Sequence, residues 1–541
     1  MQRKPKKQIL FGQDARTELL TGANIASATI AKTLGPRGGT VILDKGNNQQ
    51  LVTSDGVSVA REITLYNKMH NMGAEMIKSA CARVEEEAGD GTTTTAMLTN
   101  TILKKGAKYI AAGGVDPISI QRGINKAVSF CVDLIQDWGK PVHTEKEITQ
   151  VAMVATNGDE DISKALAKSC MIAGATGSIT VEDGVSMDVE VIIKEGIELD
   201  AGWASPYFCD AEDKSEIMLE SPLVAVVKGK VNSIDDVRAI LEEGSQWPNP
   251  KLIFSLHTEG EALRTMIINH KKGVVKCCAV NVPGMHRWKE EWLEDIAALS
   301  GATLIDPDKS MKTKDFQPEY FGSLQKVIVK NKTTTIEAFE EAHDGLMERL
   351  KQLNHKMLSS TSDYDRDKYQ ERIAQLEGGL VILRVGGVSE MAMKERRARI
   401  EDALGAIRGA LEEGVLPGAG NTLLLLSQAL KAEEAVAFDG DDDYSELVGW
   451  RLLADALPQP FYHISESCGV NGQVAEDRIA NALDEHFTLF TGWDPIQQKV
   501  RNLCDEPGIL NSARTVRTAI QTAASIAGTL LTCEAAISIK R

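Results

Sequence analysis

The stretch of this 541-residue chain with the plainest chemical content is Gly89-Asp90-Gly91-Thr92-Thr93-Thr94-Thr95. Its two glycines permit positive φ and close approach by a ligand. Amides at a helix N-terminus attract anions, threonine hydroxyls donate to phosphate oxygens, and Asp90 can hold Mg2+ against those oxygens. An isolated Asp-Gly-Thr is most often an ordinary helix cap. Four consecutive β-branched threonines lower helix propensity with no evident packing gain, which favours a ligand role here. Two further segments have related features. Thr33-Leu34-Gly35-Pro36-Arg37-Gly38-Gly39 leaves amides and a guanidinium free at a helix stop, and by itself reads as a turn. Gly414-Val415-Leu416-Pro417-Gly418-Ala419-Gly420 precedes an apolar run but lacks the last glycine of a dinucleotide fingerprint. No G-x-x-x-x-G-K-[ST] occurs, so any nucleotide site is not a P-loop. Asp55 and Asp402 sit in comparable settings, although an isolated helical Asp is by default a solvated surface group.

The elements that must carry these residues follow from periodicity. Leu19, Ala23, Ala26, Ile30 and Leu34 form one stripe of a helix over 15–34 that Gly35-Pro36 ends. A second helix over 67–88 shows Met69, Met72, Met76, Ala80 and Val84 on one face and stops at Gly89. Near the C-terminus Val516, Ile520, Ala523, Ala527 and Leu530 repeat the pattern among small residues that let helices approach closely. Between them, apolar runs at 223–227, 252–256, 274–282 and 302–305 alternate with amphipathic stretches at 234–243, 259–271 and 288–299. That rhythm predicts a parallel sheet with crossover helices, set inside a helical chain. A charged helical hairpin is expected over 336–375, then an apolar run at 380–385 and helix again from Met391.

Composition bounds the function. Aspartate and glutamate number 77 against 60 lysines and arginines, and the net charge of −17 opposes binding to nucleic acid or to anionic membranes. The nine cysteines are scattered, with no C-x-x-C and no H-E-x-x-H among the histidines. A reducing compartment fits, and with no apolar signal region in the first residues a cytoplasmic location is expected.

Read in order, TLGPRG, SDGVSVAREI, NMGAEMIKSA, AGDGTTTT, SPYF, TTTI, TSDYDRDKYQERIAQLEGG, ERRARIEDAL and EEGVLPGAG resemble the corresponding stretches of group I chaperonins of the bacterial GroEL type, over almost the whole chain. The resemblance implies a multidomain chaperonin fold: a mainly α equatorial domain, an inserted α/β apical domain and a small α/β intermediate domain. The implied boundaries are 1–140 and 414–541 for the equatorial domain, 141–195 and 380–413 for the intermediate one, and 196–379 for the apical one. Hinges fall near Pro141 and Gly414, and near Gly196 with Gly378-Gly379. The implied activity is ATP hydrolysis with Mg2+ as cofactor, driving capture and release of unfolded client proteins. Assembly into a homo-oligomeric ring, heptameric by resemblance, and a lid-like co-chaperonin partner are implied as well.

By the same resemblance Asp90 is the Mg2+ ligand, and Gly91, Thr92, Thr93 and Thr94 meet the phosphates. Thr33, Leu34, Gly35 and Pro36 form the nucleotide loop, and Gly418, Gly420 and Asn511 are further nucleotide contacts. Asp402 orients the attacking water, with Asp55 as a second acidic group near the γ-phosphate. Trp203, Tyr207, Phe208, Leu241, Leu263, Ile267 and Ile268 map to polypeptide-binding positions, although an i, i+4 apolar stripe is by default core. Some positions depart from the family's pattern. Ser54 stands for a lysine, Asn511 for an aspartate, Ala419 for a third glycine, and Arg238 for an apolar groove residue. The first two leave room for an alternative reading, a ring-shaped holding or scaffold protein with weak ATPase activity.

Overall fold

Glycines decide how closely the terminal helices pack. The helix Gly12–Ile30 buries Ala15, Leu19, Ala23, Ala26 and Ile30 against the helix Lys68–Ala88. A Cβ on Gly22 would lie 1.7 Å from the His70 carbonyl oxygen, and one on Gly73 would lie 1.9 Å from that of Leu19. Only hydrogen at both positions allows this backbone-to-backbone contact. The same device joins Pro117–Trp138 to Tyr444–Ala456, where Gly123 faces the Glu446 carbonyl and Gly449 that of Ile120. Asn67 starts the second helix by accepting from the Met69 and His70 amides, and Gly89 in the left-handed region ends it.

The computed structural model describes residues 7–44, 50–156, 158–173, 178–184, 188–194, 196–209, 216–284, 287–339, 343–360, 362–378, 380–387, 389–438, 443–482 and 488–539. Gly379, at one expected hinge, lies outside them. The chain divides into two units, the first made of Met1–Lys168, Asp183–Val189 and Val385–Arg541, the second of Ser169–Glu182 and Glu190–Arg384. In the first unit both chain ends enter one core, with Leu19, Ile77, Leu98, Ile124, Leu453 and Ile520 among its members. Strand Lys7–Phe11 pairs antiparallel with Ala535–Ile539, and the helix Ala513–Leu531 packs on Thr92–Ala112. The helix expected to reach Leu34 ends at Ile30 and continues as a single tighter turn, Ala31–Thr33.

The second unit holds the expected parallel sheet, ordered Cys277–Asn281, Lys251–Thr258, Leu223–Val231, Leu304–Ile305, with Gly322–Ser323 antiparallel on the third of these strands. Its helices are Ile234–Gly244, Gly260–Lys271 and Arg287–Ser300. A second sheet orders Gly196–Leu199, Thr334–Glu337, Lys326–Lys330 and Glu216–Glu220, all antiparallel. Ile336 and Glu337, expected at the start of the helical hairpin, are strand residues instead, because Thr334, Thr335 and Ile336 pair on both sides and are buried. The hairpin itself is His343–Ser359 and Asp363–Gly378. It is pinned by a buried ion cluster in which Asp295, fully buried, accepts from Arg349 at 2.7 Å and Arg372 at 2.6 Å. Removing one member would strand a charge at a cost of about 3–5 kcal/mol. Among the described residues no helix is long and apolar enough to cross a membrane.

Candidate nucleotide site

The first unit encloses a cavity of about 480 Å³ whose wall is assembled from the segments singled out by sequence. Thr33, Leu34, Gly35 and Pro36 line one side, Asp90, Gly91, Thr92, Thr93 and Thr94 another, and Asp55, Asp402, Gly420 and Asn511 complete the set. Gly91 stands at the N-cap of the helix Thr92–Ala112 with φ of 93°, and the first helical residues, Thr92, Thr93 and Thr94, whose amides have no partner within the helix, line the cavity. Behind it Thr33 Oγ1 and Thr93 Oγ1 lie 3.3 Å apart. Gly56 is required at this point, since a Cβ there would sit 2.4 Å from Thr93 Oγ1.

Asp55 has a local task besides lining the cavity. Its two carboxylate oxygens accept from the Val57 and Ser58 amides at 3.0 and 2.8 Å, capping the helix Gly56–Glu62. Asp90 does not cap its helix in that manner; its Oδ1 accepts from the adjacent Gly91 amide at 2.6 Å. Burial holds the Asp90 carboxyl above the usual carboxylate range, against the pull of that amide. Asp402 is also raised, first by burial and then by the negative charges of Glu85, Asp55 and Asp90, together with a hydrogen bond to Glu85. Glu85 is pushed up by burial and by Asp55. The cavity wall thus concentrates acid, while the cations among its lining residues are Lys394 and Arg399.

Two sequence-derived positions differ in detail. Gly418 is not on the wall; it packs on Ile509, accepting no Cβ without a 3.0 Å contact to that residue's carbonyl and side chain. Ala419 lines the cavity instead, with φ of 53°, and Gly420 beside it has φ of 79° and would drive a Cβ into Phe461. Asn511 is held by pairing of Leu510–Ser512 with Val415–Pro417, opposite Leu416. Sequence reasoning passed over Glu85. The signal was present, since of Glu85, Glu86 and Glu87 only the first lies one turn before Gly89 on the helix face that carries Cys81.

This donor set suits a Mg2+–nucleotide. Among the described residues no three His, Cys, Asp or Glu side chains converge on a metal-sized space. A Mg2+ held by one carboxylate with phosphate and water in its other positions asks for no such convergence. Carboxylates raised by mutual repulsion are also groups that a cation relieves.

In the second unit the seven apolar positions divide. Tyr207 and Ile268 are exposed, at 56% and 53%, and Trp203, Leu263 and Ile267 are half-buried. Phe208 and Leu241 belong to the core, at 0% and 7% exposed, so the expectation that they present surface is corrected for this conformation. Phe208 is held inward by the turn Pro206–Phe208 and meets His270 edge-on at 5.9 Å between ring centres. Leu241 faces inward from the helix Ile234–Gly244, whose first residue, Ile234, is an exposed apolar group that sequence reading missed.

The TCP-1/cpn60 chaperonin family model matches residues 26–240 and 271–541. The chain belongs to that family. Among solved structures, the chaperonin gp146 from the bacteriophage EL 2 (Pseudomonas aeruginosa), crystallised in presence of ATP-BeFx, is similar to this chaperonin with a TM-score of 0.73. The two align over 98% of this chain and 99% of that one at 20% identity, a likeness that establishes the chaperonin fold. The segments matched by the family model leave out 241–270, the stretch that carries Leu241, Leu263, Ile267 and Ile268.

Proposed function

We propose that the protein is an ATP-hydrolysing ring chaperonin that captures nonnative polypeptides on an apolar surface of its second unit and releases them as Mg-ATP is bound and hydrolysed. The observation that carries this reading is the cavity in which Asp90, Gly91 and Thr92–Thr94, at a helix N-terminus, share one wall with Asp402. Mg2+, when bound, neutralises phosphate charge at Asp90. The amides and hydroxyls of Thr92, Thr93 and Thr94 orient the phosphates, and the Thr33–Pro36 turn closes the opposite side. Asp402 accepts a hydrogen bond from the attacking water and Asp55 adds negative charge beside the terminal phosphate, so catalysis is positioning and charge neutralisation. The fold is divided as equatorial (1–140, 414–541), intermediate (141–195, 380–413) and apical (196–379) domains. Subunits assemble into a ring, heptameric by family resemblance, in the cytoplasm, and a lid-like co-chaperonin shares the apolar surface with clients. Exposed apolar groups such as Tyr207 and Ile268 support that surface, because side chains of this kind bind chains whose own cores are uncovered. A steady-state ATPase assay with and without denatured client tests the reading. Client-responsive turnover that requires Mg2+ is expected, and nucleotide binding without turnover would overturn it. That second outcome is what a weakly hydrolysing holding or scaffold protein would give, a reading favoured by the acidic wall on which Ser54 stands in place of the family's lysine.

A further inference from the structure

Glu85 and Asp402 stand on two helices that touch backbone to backbone. A Cβ on Gly405 would lie 2.6 Å from the Gly89 Cα, and one on Gly89 would lie 2.7 Å from the Gly405 Cα. Glu85 precedes Gly89 by four residues on the helix Lys68–Ala88, and Asp402 precedes Gly405 by three on the helix Glu390–Glu413. Each carboxyl therefore lies one turn from the contact, on the face directed at the other helix. Both line the cavity, and their side chains hydrogen-bond one another. Two carboxyl groups can do so only when one of them donates. The paired glycines bring the helices close enough for that contact.

We propose that Glu85 is a positioning residue for Asp402: the two carboxyls share one proton in a hydrogen bond that fixes the Asp402 side chain and leaves its other oxygen to accept from water. The arrangement follows the general pattern in which the group acting on a nucleophile is itself oriented by a third. The proton stays within the pair, and Glu85 makes and breaks no covalent bond in the reaction. The charged and titratable groups around the pair are Asp55 and Arg61 from the 53–62 segment, Asp90 from the loop that follows Glu85, and Cys81 one turn earlier. Lys394, Glu395 and Arg399 line the same cavity from the helix of Asp402. Burial and the surrounding acids raise both carboxyls, which favours keeping the shared proton.

This inference rests on the ATPase reading, and two replacements of Glu85 test it in the full-length protein. In Glu85→Ala, kcat should fall on the order of tenfold or more, with KM for ATP within about twofold of the parent. In Glu85→Gln the side-chain amide can keep a hydrogen bond to Asp402 without the shared proton, so kcat at neutral pH should stay near the parent value. The alkaline fall of the parent's kcat profile, where the shared proton is lost, should disappear from Glu85→Gln. Equal losses in both variants with the parent's pH profile unchanged would overturn the proposal. A parent that does not hydrolyse ATP would instead sink the function. The pair can then be read from thermal unfolding of nucleotide-free protein. The parent Tm should rise as pH falls from 8 to 6, and the rise should be much smaller in Glu85→Gln; parallel curves would again overturn the inference.

Discussion

The nucleotide cavity and the apolar surface of the second unit are built on opposite principles. The cavity gathers short segments far apart in sequence, and each has a backbone conformation that only certain residues tolerate. Gly35, Gly89, Gly91 and Gly420 all have φ between 70° and 93°. The surface of the second unit depends on one side chain facing out while its neighbour faces in, as with exposed Tyr207 and buried Phe208. Backbone constraint is written in residue type, whereas exposure of a hydrophobic residue depends on what the rest of the fold sets against it. The family model matches every segment of the cavity wall, from Thr33 to Ala519, and leaves out 241–270 of the second unit.

The largest expected effect would sharpen the cavity side of this contrast. Replacing Asp402 by Ala should lower kcat by about 10²- to 10⁴-fold or more while nucleotide binding, followed by calorimetry, stays largely intact. The carboxylate acts on the attacking water rather than on the ground state of ATP. Parent-rate hydrolysis by this variant would show that the water is oriented elsewhere.

A second pair of substitutions addresses the other region. Phe208→Ala should cost about 3–5 kcal/mol of stability, as for large-to-small changes in a core. Tyr207→Ala should change it by no more than about 0.5 kcal/mol and yet weaken capture of denatured protein. Ile267→Ser with Ile268→Ser should resemble Tyr207→Ala, with the half-buried Ile267 accounting for most of any stability loss. Urea unfolding and co-sedimentation of a denatured client measure the two quantities. Were Tyr207 to behave like Phe208, the division between inward and outward residues would fail.

These cases show what the sequence could convey. Gly89 after an apolar helical stripe marked the end of Lys68–Ala88, because a left-handed cap is a matter of residue type. The order of apolar runs at 223–227, 252–256 and 274–282 likewise pointed to a parallel sheet, since each pair is separated by a helix long enough to cross over. Ile336 and Glu337 were assigned to the helical hairpin because nothing local distinguishes a strand residue beside a charged helix; pairing on both sides decides it. Glu85 went unseen for a related reason. Its role depends on Gly405, more than 300 residues later, whose missing side chain lets the second helix approach.

A smaller effect concerns Ala419, a non-glycine residue with φ of 53° on the cavity wall. A left-handed conformation at Ala costs roughly 1–2 kcal/mol, partly offset by the greater freedom of Gly in the unfolded chain. Ala419→Gly should therefore stabilise the protein by about 0.5–1 kcal/mol, seen as a higher urea midpoint at unchanged slope. A neutral or destabilising result would mean that the methyl group makes contacts worth as much as the strain it imposes. The cavity would then depend on side-chain packing at this point, as the second unit does.

The smallest expected change in stability, and a sharp test of the surface, is at Arg238. Its side chain is 61% exposed and reaches Asp235 at 3.6 Å, a geometry worth about 0–1 kcal/mol because water and salt screen it. It stands on the helix Ile234–Gly244, which packs beside Gly260–Lys271, the helix that presents Ile268. A guanidinium there keeps its charge in water and interrupts the apolar area available to a bound chain. Arg238→Leu should leave the unfolding midpoint within the range of ordinary surface substitutions, about 0.5 kcal/mol, while increasing capture of denatured proteins that the parent binds weakly. The gain should be greatest for the least acidic clients, since acidic ones lose an attractive charge as they gain apolar contact. Capture that is unchanged across clients of differing charge would place the binding surface away from these two helices, and the contrast between the regions would have to be drawn around a different set of exposed side chains.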